Sequence, residues 1–487
     1  MRPVSEPLKN PEVTFRSTLT LWDAVALVVS GMVGSGIFVV SSQVAIDLQS
    51  GLLVLGAWVF TAIMSYFGAL AFGELACLWP QVGGQYVFIR NLWGRLPSFL
   101  YGWTLSLIIK SATIAAVALA SIRFISSLPV LFPSIPGLAF LPPSVSVILY
   151  SKLAAVALII GLTWLNLFDV KCVARIQNVL TFINIGSLVL IIGMAFWFAF
   201  NSHQTLHWEN ISLHSLFSKS SVLNQPHVFT LLGCALIGPL FAFDGWGNVT
   251  VLASEVQNPK RNIPIALLLG VGLIGLLYAL VNLSYLLVLP FPQIIASRDG
   301  ILAASFIKVV WGPFAQTLLL IMMLIAAIGC LNNMILSGSR AIYALAKDDF
   351  LPSRFSDLSQ RNKVPTNALC LQAAWSSLLV IGSAFNQLLG YMVFAVVFFS
   401  LITVLGLIVY RQKNRTTSLF QTFKTEFYCV VFSLFSVWVL FSLFVENPMT
   451  ILVNFAVSVS GLLVYWWMGK KTLNSYDQSI NDSKQGV

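Results

Sequence analysis

From residue 22 to residue 469 the chain alternates long apolar runs with short polar or Pro/Gly-rich connections. Twelve runs reach the ~20 apolar residues that a helix needs to cross a bilayer. They lie at 22–46, 52–78, 97–127, 147–168, 177–200, 228–254, 264–289, 313–345, 366–386, 388–410, 426–445 and 449–469. The clearest separations are Pro129–Pro143, Asn201–His227, Asp348–Pro365 and Arg411–Lys424. Residues 1–21 are polar and contain no apolar stretch followed by a small-residue cleavage site, so the first run is expected to be its own insertion signal. This segment and the polar tail 470–487 are expected to be short mobile ends.

Two of the runs are interrupted. The first carries Gly31-Met32-Val33-Gly34-Ser35-Gly36-Ile37-Phe38, and the sixth is broken at Asp244-Gly245 before a polar Glu255…Pro264 stretch. A helix that unwinds in lipid frees N–H and C=O groups that hydrocarbon cannot satisfy, so the break must face protein, water or a ligand. Interrupted spans at corresponding places in two halves point to the substrate site of a secondary transporter. The broken runs are five apart. That spacing predicts inverted repeats over 22–200 and 228–410, forming a transport core of 22–410, with two accessory spans in 426–469. Sequence identity between the halves is negligible, so the repeat rests on the placement of the breaks.

Composition agrees with the hydropathy pattern. Of 487 residues 58% are hydrophobic and 9% charged, with mean hydropathy +0.87, against about 25% charged in soluble domains. The fold class is therefore all-α integral membrane. The net charge of +10 needs no nucleic acid to explain it. With the amino terminus inside and sides alternating, 21 of the 27 lysines and arginines fall in cytoplasmic segments. Only Lys219, Arg298 and Lys308 fall in external loops. This bias puts both termini in the cytoplasm, in a plasma or bacterial inner membrane.

Few chemical groups are available at depth. The spans hold no histidine and few carboxylates, which argues against an integral-membrane enzyme, and no catalytic set is assigned. A channel or receptor is a further class, but a channel calls for an open polar pore rather than two glycine breaks around a closed site. His203 and His207 have a spacing that shares a helix face, but they lack cysteine or clear carboxylate partners, so no metal is assigned. Cys77, Cys172, Cys234, Cys330, Cys370 and Cys429 show no metal-ligand spacing and read as packing residues. Glu74 and Glu255 are expected to pair with cytoplasmic-side bases as gate or scaffold. Asn332 and Asn333 either line a cavity or hydrogen-bond between helices.

Gly34–Phe38 (GSGIF), Phe241–Trp246 (FAFDGW) and the EVQNPKRNIP stretch from Glu255 resemble the amino acid–polyamine–organocation superfamily. Within it they are most similar to the L-type amino-acid transporter family. Gly83-Gly84-Gln85-Tyr86 is similar to that family's GG[DE]Y stretch, and Ser339-Arg340 with Asp349…Leu351-Pro352 to its SR…G-x-LP stretch. The likeness runs over most of the chain and weakens beyond the tenth span.

The resemblance implies a LeuT-like fold of twelve transmembrane helices with a 5+5 inverted repeat, binding a free α-amino acid midway through the membrane. It implies alternating-access transport of L-amino acids, neutral in kind, by exchange or proton linkage, and no cofactor. The Asp244 carboxylate keeps a cationic or broad-range amino-acid or polyamine carrier as the alternative. Gly34, Ser35 and Gly36 are the expected carboxylate-binding set, since a half-helix N-terminus offers free N–H groups and a positive dipole end. Met32, Phe241 and Asp244 match family positions that face the ammonium, and Phe241 matches the aromatic that closes over substrate. Packing alone would also account for the glycines, and Asp244 would also serve as a cap for the second half of its span.

Two departures bear on coupling and partners. Lys110 stands where the family tends to carry an arginine; it either steadies the bundle by binding carbonyls or couples protonation to transport. The family's lysine in span 5 falls on Asn184, which cannot titrate, so coupling through Asn184, Lys110 or Asn332 stays open between exchange, proton and sodium linkage. The family's light chains share a cysteine between spans 3 and 4, and Pro129–Pro143 has none. No disulfide-linked heavy chain is expected there; the partners are the amino-acid substrate and the lipid bilayer.

Overall fold

The computed structural model describes residues 17–128, 143–168, 170–201, 206–217, 221–297, 302–348, 350–382, 385–414 and 419–485. The loop over 129–142, His203, Lys219, Arg298 and Asp349 lie outside the described residues. The described chain is helical apart from one isolated parallel bridge, Leu19 to Val256. Among the described residues nine helices are long and apolar enough to cross a membrane, and four shorter apolar helices accompany them. The protein is a multi-pass integral membrane protein.

The first run splits into α1 (Leu21–Met32) and α2 (Gly36–Leu48). Thr20 and Asp23 start α1 as a reciprocal capping box, with the Asp23 carboxylate 2.9 Å from the Thr20 N–H. Helix α3 (Gly51–Leu78) follows, then a short α4 (Gln85–Trp93). The next span is α5 (Arg95–Thr104), a π-helical segment Leu105–Ile109, and α6 (Lys110–Ser126). Helices α7 (Pro143–Leu165) and α8 (Val170–Asn201) complete the first half.

In the second half the sixth run is cut twice, into α9 (Val228–Ala235), α10 (Ile237–Phe243) and α11 (Asn248–Val251). Then come α12 (Pro259–Val288), α13 (Phe291–Ala296), α14 (Leu302–Trp311) and α15 (Pro313–Lys347). The chain ends with α16 (Thr366–Gly382), α17 (Phe385–Asn414), α18 (Leu419–Glu446) and α19 (Pro448–Gln485). Helix α12 packs along α3, while α15 packs against α6 and α8, so the broken helices lie between these long rods.

Three features differ from the hydropathy reading. Helices α4 and α14 are too short to register as spans, yet α14 buries Leu302, Ala303, Phe306, Ile307 and Val310 on one side. The π-helical segment widens the third span immediately before Lys110, a type of defect common at functional sites. The expected tail is a continuation of α19 to Gln485. No Gly or Pro stands between Lys470 and Gln485 to stop that helix.

Candidate functional site

Helix α1 stops at Met32 because Val33 turns extended, with φ −78° and ψ 94°, and α2 restarts at Gly36. Helix α10 stops at Asp244, also extended, and Gly245 takes φ +99°, a conformation that favours glycine. The two breaks cross directly. A Cβ on Gly31 would lie 2.7 Å from the Gly245 carbonyl oxygen, and one on Gly36 would lie 2.8 Å from Ala242 Cα. On the other side, a Cβ on Gly34 would lie 2.7 Å from Cys330 Sγ of α15. The glycines therefore let the two broken helices meet at backbone distance and let the Cys330 side chain of α15 pack against the first break.

Unwinding leaves polar groups that the neighbours partly satisfy. The Tyr278 hydroxyl of α12 donates to the Met32 carbonyl at 2.8 Å and lies 3.4 Å from the Ala242 carbonyl, so it touches both breaks. Asn184 Nδ2 of α8 donates to the Val33 carbonyl at 3.2 Å. In α2 the Val39 N–H is the first to bond back, to Ser35 at 3.0 Å. The N–H groups of Gly36, Ile37 and Phe38 precede it as orphan donors of a helix start. The Ser35 hydroxyl is fully buried and has no hydrogen-bond partner among the described residues.

A cavity lies beside the second break, between α3, α5–α6, α17 and α18. Asp244, Lys110, Asn248, Gln85 and Tyr101, with Ser65, Ser400 and Ser436, supply polar groups, and Phe72, Phe243, Trp246 and Phe432 much of its apolar wall. Of the residues anticipated from sequence, this cavity gathers Asp244 and Lys110. Met32, Gly34, Ser35 and Gly36 sit together at the first break, buried behind the crossing, and do not line it. Phe241 is buried one helical turn before Asp244, and the lining aromatic from α10 is Phe243. Gly247, not Asp244, precedes α11 as its cap.

Lys110 is bound by a side-chain amide rather than by backbone carbonyls: its ammonium donates to Asn248 Oδ1. The Asn248 Nδ2 lies 3.5 Å from Asn333 Oδ1, and Asn333 Nδ2 donates to the Leu27 carbonyl at 2.6 Å and Ser30 Oγ at 2.9 Å. A polar chain thus runs from α6 through α11 and α15 to α1. Asn332 turns the other way, donating to Gln177 Oε1 and accepting from Asn166 Nδ2, both at 2.7 Å. It ties α7, α8 and α15 together between helices.

Below the breaks, Arg340 Nε donates to Glu255 Oε1 at 3.0 Å, with both side chains almost wholly buried. The Glu255 carbonyl accepts the Thr18 and Leu19 N–H groups, which pins the chain ahead of α1 under the second break. Glu74 pairs with Arg411, and Tyr428 donates to Glu74 at 3.1 Å. Arg90 and Tyr86 converge on Asp348, each at 2.5 Å. Burial, with the Asp348 carboxylate beside it, pushes the Tyr86 phenol up and keeps it protonated. Both glutamates anticipated from sequence have found bases. Tyr278, Asn248, Cys330 and Phe243 carried no sequence signal, because each is an ordinary residue inside an apolar run.

Two crossed, unwound helices around buried polar groups beside a cavity define a membrane carrier. The amino acid permease family matches residues 19–468, and the chain belongs to that family. It is an amino-acid transporter and not an enzyme. It is 26% identical to the rabbit (Oryctolagus cuniculus) b(0,+)-type amino acid transporter 1 over 405 residues, 82% of this chain and 78% of that protein. It is 27% identical to the mouse (Mus musculus) large neutral amino acids transporter small subunit 2 over 483 residues, 96% of this chain and 85% of that one. The human (Homo sapiens) cystine/glutamate transporter is 25% identical over 464 residues, 95% of this chain and 87% of its own length.

Proposed function

We propose that the protein carries neutral L-amino acids by alternating access, as an exchanger or a proton-linked carrier. In this reading it has a LeuT-like fold of twelve spans, with inverted repeats over 22–200 and 228–410, accessory spans in 426–469 and both termini in the cytoplasm. The observation that carries the proposal is the start of α2. Its three orphan N–H groups, on Gly36, Ile37 and Phe38, and the unpartnered Ser35 hydroxyl are the donors that a substrate carboxylate needs, and the Gly34-Ser35-Gly36 break opens the backbone to it. The Met32, Phe241 and Asp244 carbonyls face the ammonium, and the Phe241 ring closes over the substrate. Ala242 and Cys330 fill the space in front of these glycines, so binding requires the breaks to separate.

Asp244 supports the cationic reading beside the neutral one. It lines the cavity, and among the described residues no base lies within 4.0 Å of its carboxylate. Asn184, Lys110 and Asn332 are the coupling candidates, with Asn184 foremost because it touches the first break. No disulfide-linked heavy chain is proposed at 129–143, which contains no cysteine.

The test is uptake of a panel of radiolabelled amino acids into proteoliposomes with and without internal substrate. An exchanger accelerates when loaded inside. Uptake of neutral amino acids that ignores both internal substrate and a proton gradient would remove this reading, and preference for lysine or arginine would favour the cationic one.

A further inference from the structure

Helices α5 and α16, with the end of α15, enclose a partly open crevice of about 290 Å³, close to the ~300 Å³ at which ligand pockets begin. Its walls are Phe99, Trp103 and Leu107 on one side and Leu371 and Trp375 on the other, with Leu345 behind. Leu371 and Trp375 are more than a third exposed, so the crevice's outer lip lies on the apolar surface of the protein. From Phe99 to Leu107 it runs about 12 Å along the helix, at ~1.5 Å per residue. Polar lining is limited to Ser106 and Gln372.

One end of the crevice carries charge. Phe350 and Phe355 line that end, and each has a guanidinium over its ring. Arg95 lies 5.6 Å from the Phe350 centroid and Arg354 4.9 Å from that of Phe355. A guanidinium placed over an aromatic face still has N–H donors to offer an anion. Among the described residues neither arginine pairs with a carboxylate, and both are exposed.

We infer that this crevice binds an anionic phospholipid, with one acyl chain between α5 and α16 and the phosphate on Arg95 and Arg354. A chain slot with two cations at one end is complementary to such a lipid and to neither a zwitterionic solute nor a peptide. The leaflet follows from the orientation proposed above, which puts both arginines at the cytoplasmic face, where anionic lipid concentrates. The site itself does not depend on the transport reading.

Native mass spectrometry of the delipidated protein, titrated with dioleoyl phosphatidylglycerol or dioleoyl phosphatidylcholine, tests this directly. The wild type is expected to hold the anionic lipid with roughly thirtyfold preference, as two surface cations warrant. Arg95→Gln/Arg354→Gln should erase that preference, and Ser106→Phe, which fills the slot, should weaken both lipids. Lys260→Gln/Arg261→Gln removes two exposed cytoplasmic charges elsewhere and should leave the preference unchanged. Equal binding of the two lipids by wild type, or equal losses from the two double variants, overturns the site in favour of diffuse charge attraction. Lipid binding is read without substrate, so it stands or falls separately from transport.

Discussion

Replacing Glu255 or Arg340 singly should cost far more than replacing both. The pair is 0% and 1% exposed, with Arg340 Nε 3.0 Å from Glu255 Oε1. Glu255→Gln removes the counter-charge of a buried guanidinium whose remaining contacts include the Leu336 carbonyl and Ser339 Oγ, each at 3.3 Å. Arg340→Met leaves a buried carboxylate with no base. Removing one partner of such a pair costs about 3–5 kcal/mol, or roughly 150- to 4,000-fold in an equilibrium constant at 1.4 kcal/mol per tenfold. Glu255→Leu/Arg340→Met removes both charges and their desolvation together, and should cost less than either single change. Arg90–Asp348 supplies the comparison: at 32% and 18% exposure it is screened by water, and Arg90→Gln should cost well under the buried singles, nearer the ~1 kcal/mol of surface pairs. The assay is unfolding of the detergent-solubilised protein by SDS titration across the double-mutant cycle. Singles below about 1 kcal/mol, or singles that simply add in the double, would refute the reasoning, because they would show that water reaches the pair.

Gly36→Leu should abolish substrate binding and uptake, since even its Cβ meets Ala242 Cα at 2.8 Å; scintillation proximity binding at wild-type strength would remove the first break from the site. Asp244→Gly should cut uptake of cationic amino acids more than neutral ones if the carboxylate reads charge; equal uptake of both and unchanged stability would take Asp244 off the functional set. Asn184→Lys should weaken any sodium or proton dependence while keeping exchange, because a tethered ammonium beside the Val33 carbonyl supplies the charge an ion would bring. Uptake in sodium against choline buffer, with and without a proton gradient, reads this out, and identical ion dependence in both proteins would reduce Asn184 to packing.

The sequence by itself determined the membrane class, the two breaks, the one-sided bias of Lys and Arg, and the need of Glu74 and Glu255 for bases. Those properties follow from rules that act along the chain: a span needs ~20 apolar residues, and freed backbone groups need partners. Only the tertiary structure decided what meets at the breaks. Tyr278 reaches the Met32 carbonyl from 246 residues away, and Lys110 finds Asn248 across 138. Phe243 rather than Phe241 entered the cavity wall, and the space before Gly34 was taken by Cys330. Hydropathy could not foretell these contacts because lipid is as apolar as the protein interior. Phe306 is fully buried and Phe314 is 85% exposed, though both are phenylalanines in apolar stretches. With no hydrophobic difference between the two faces, the orientation of each helix was left to close packing, glycine contacts and the few buried hydrogen bonds.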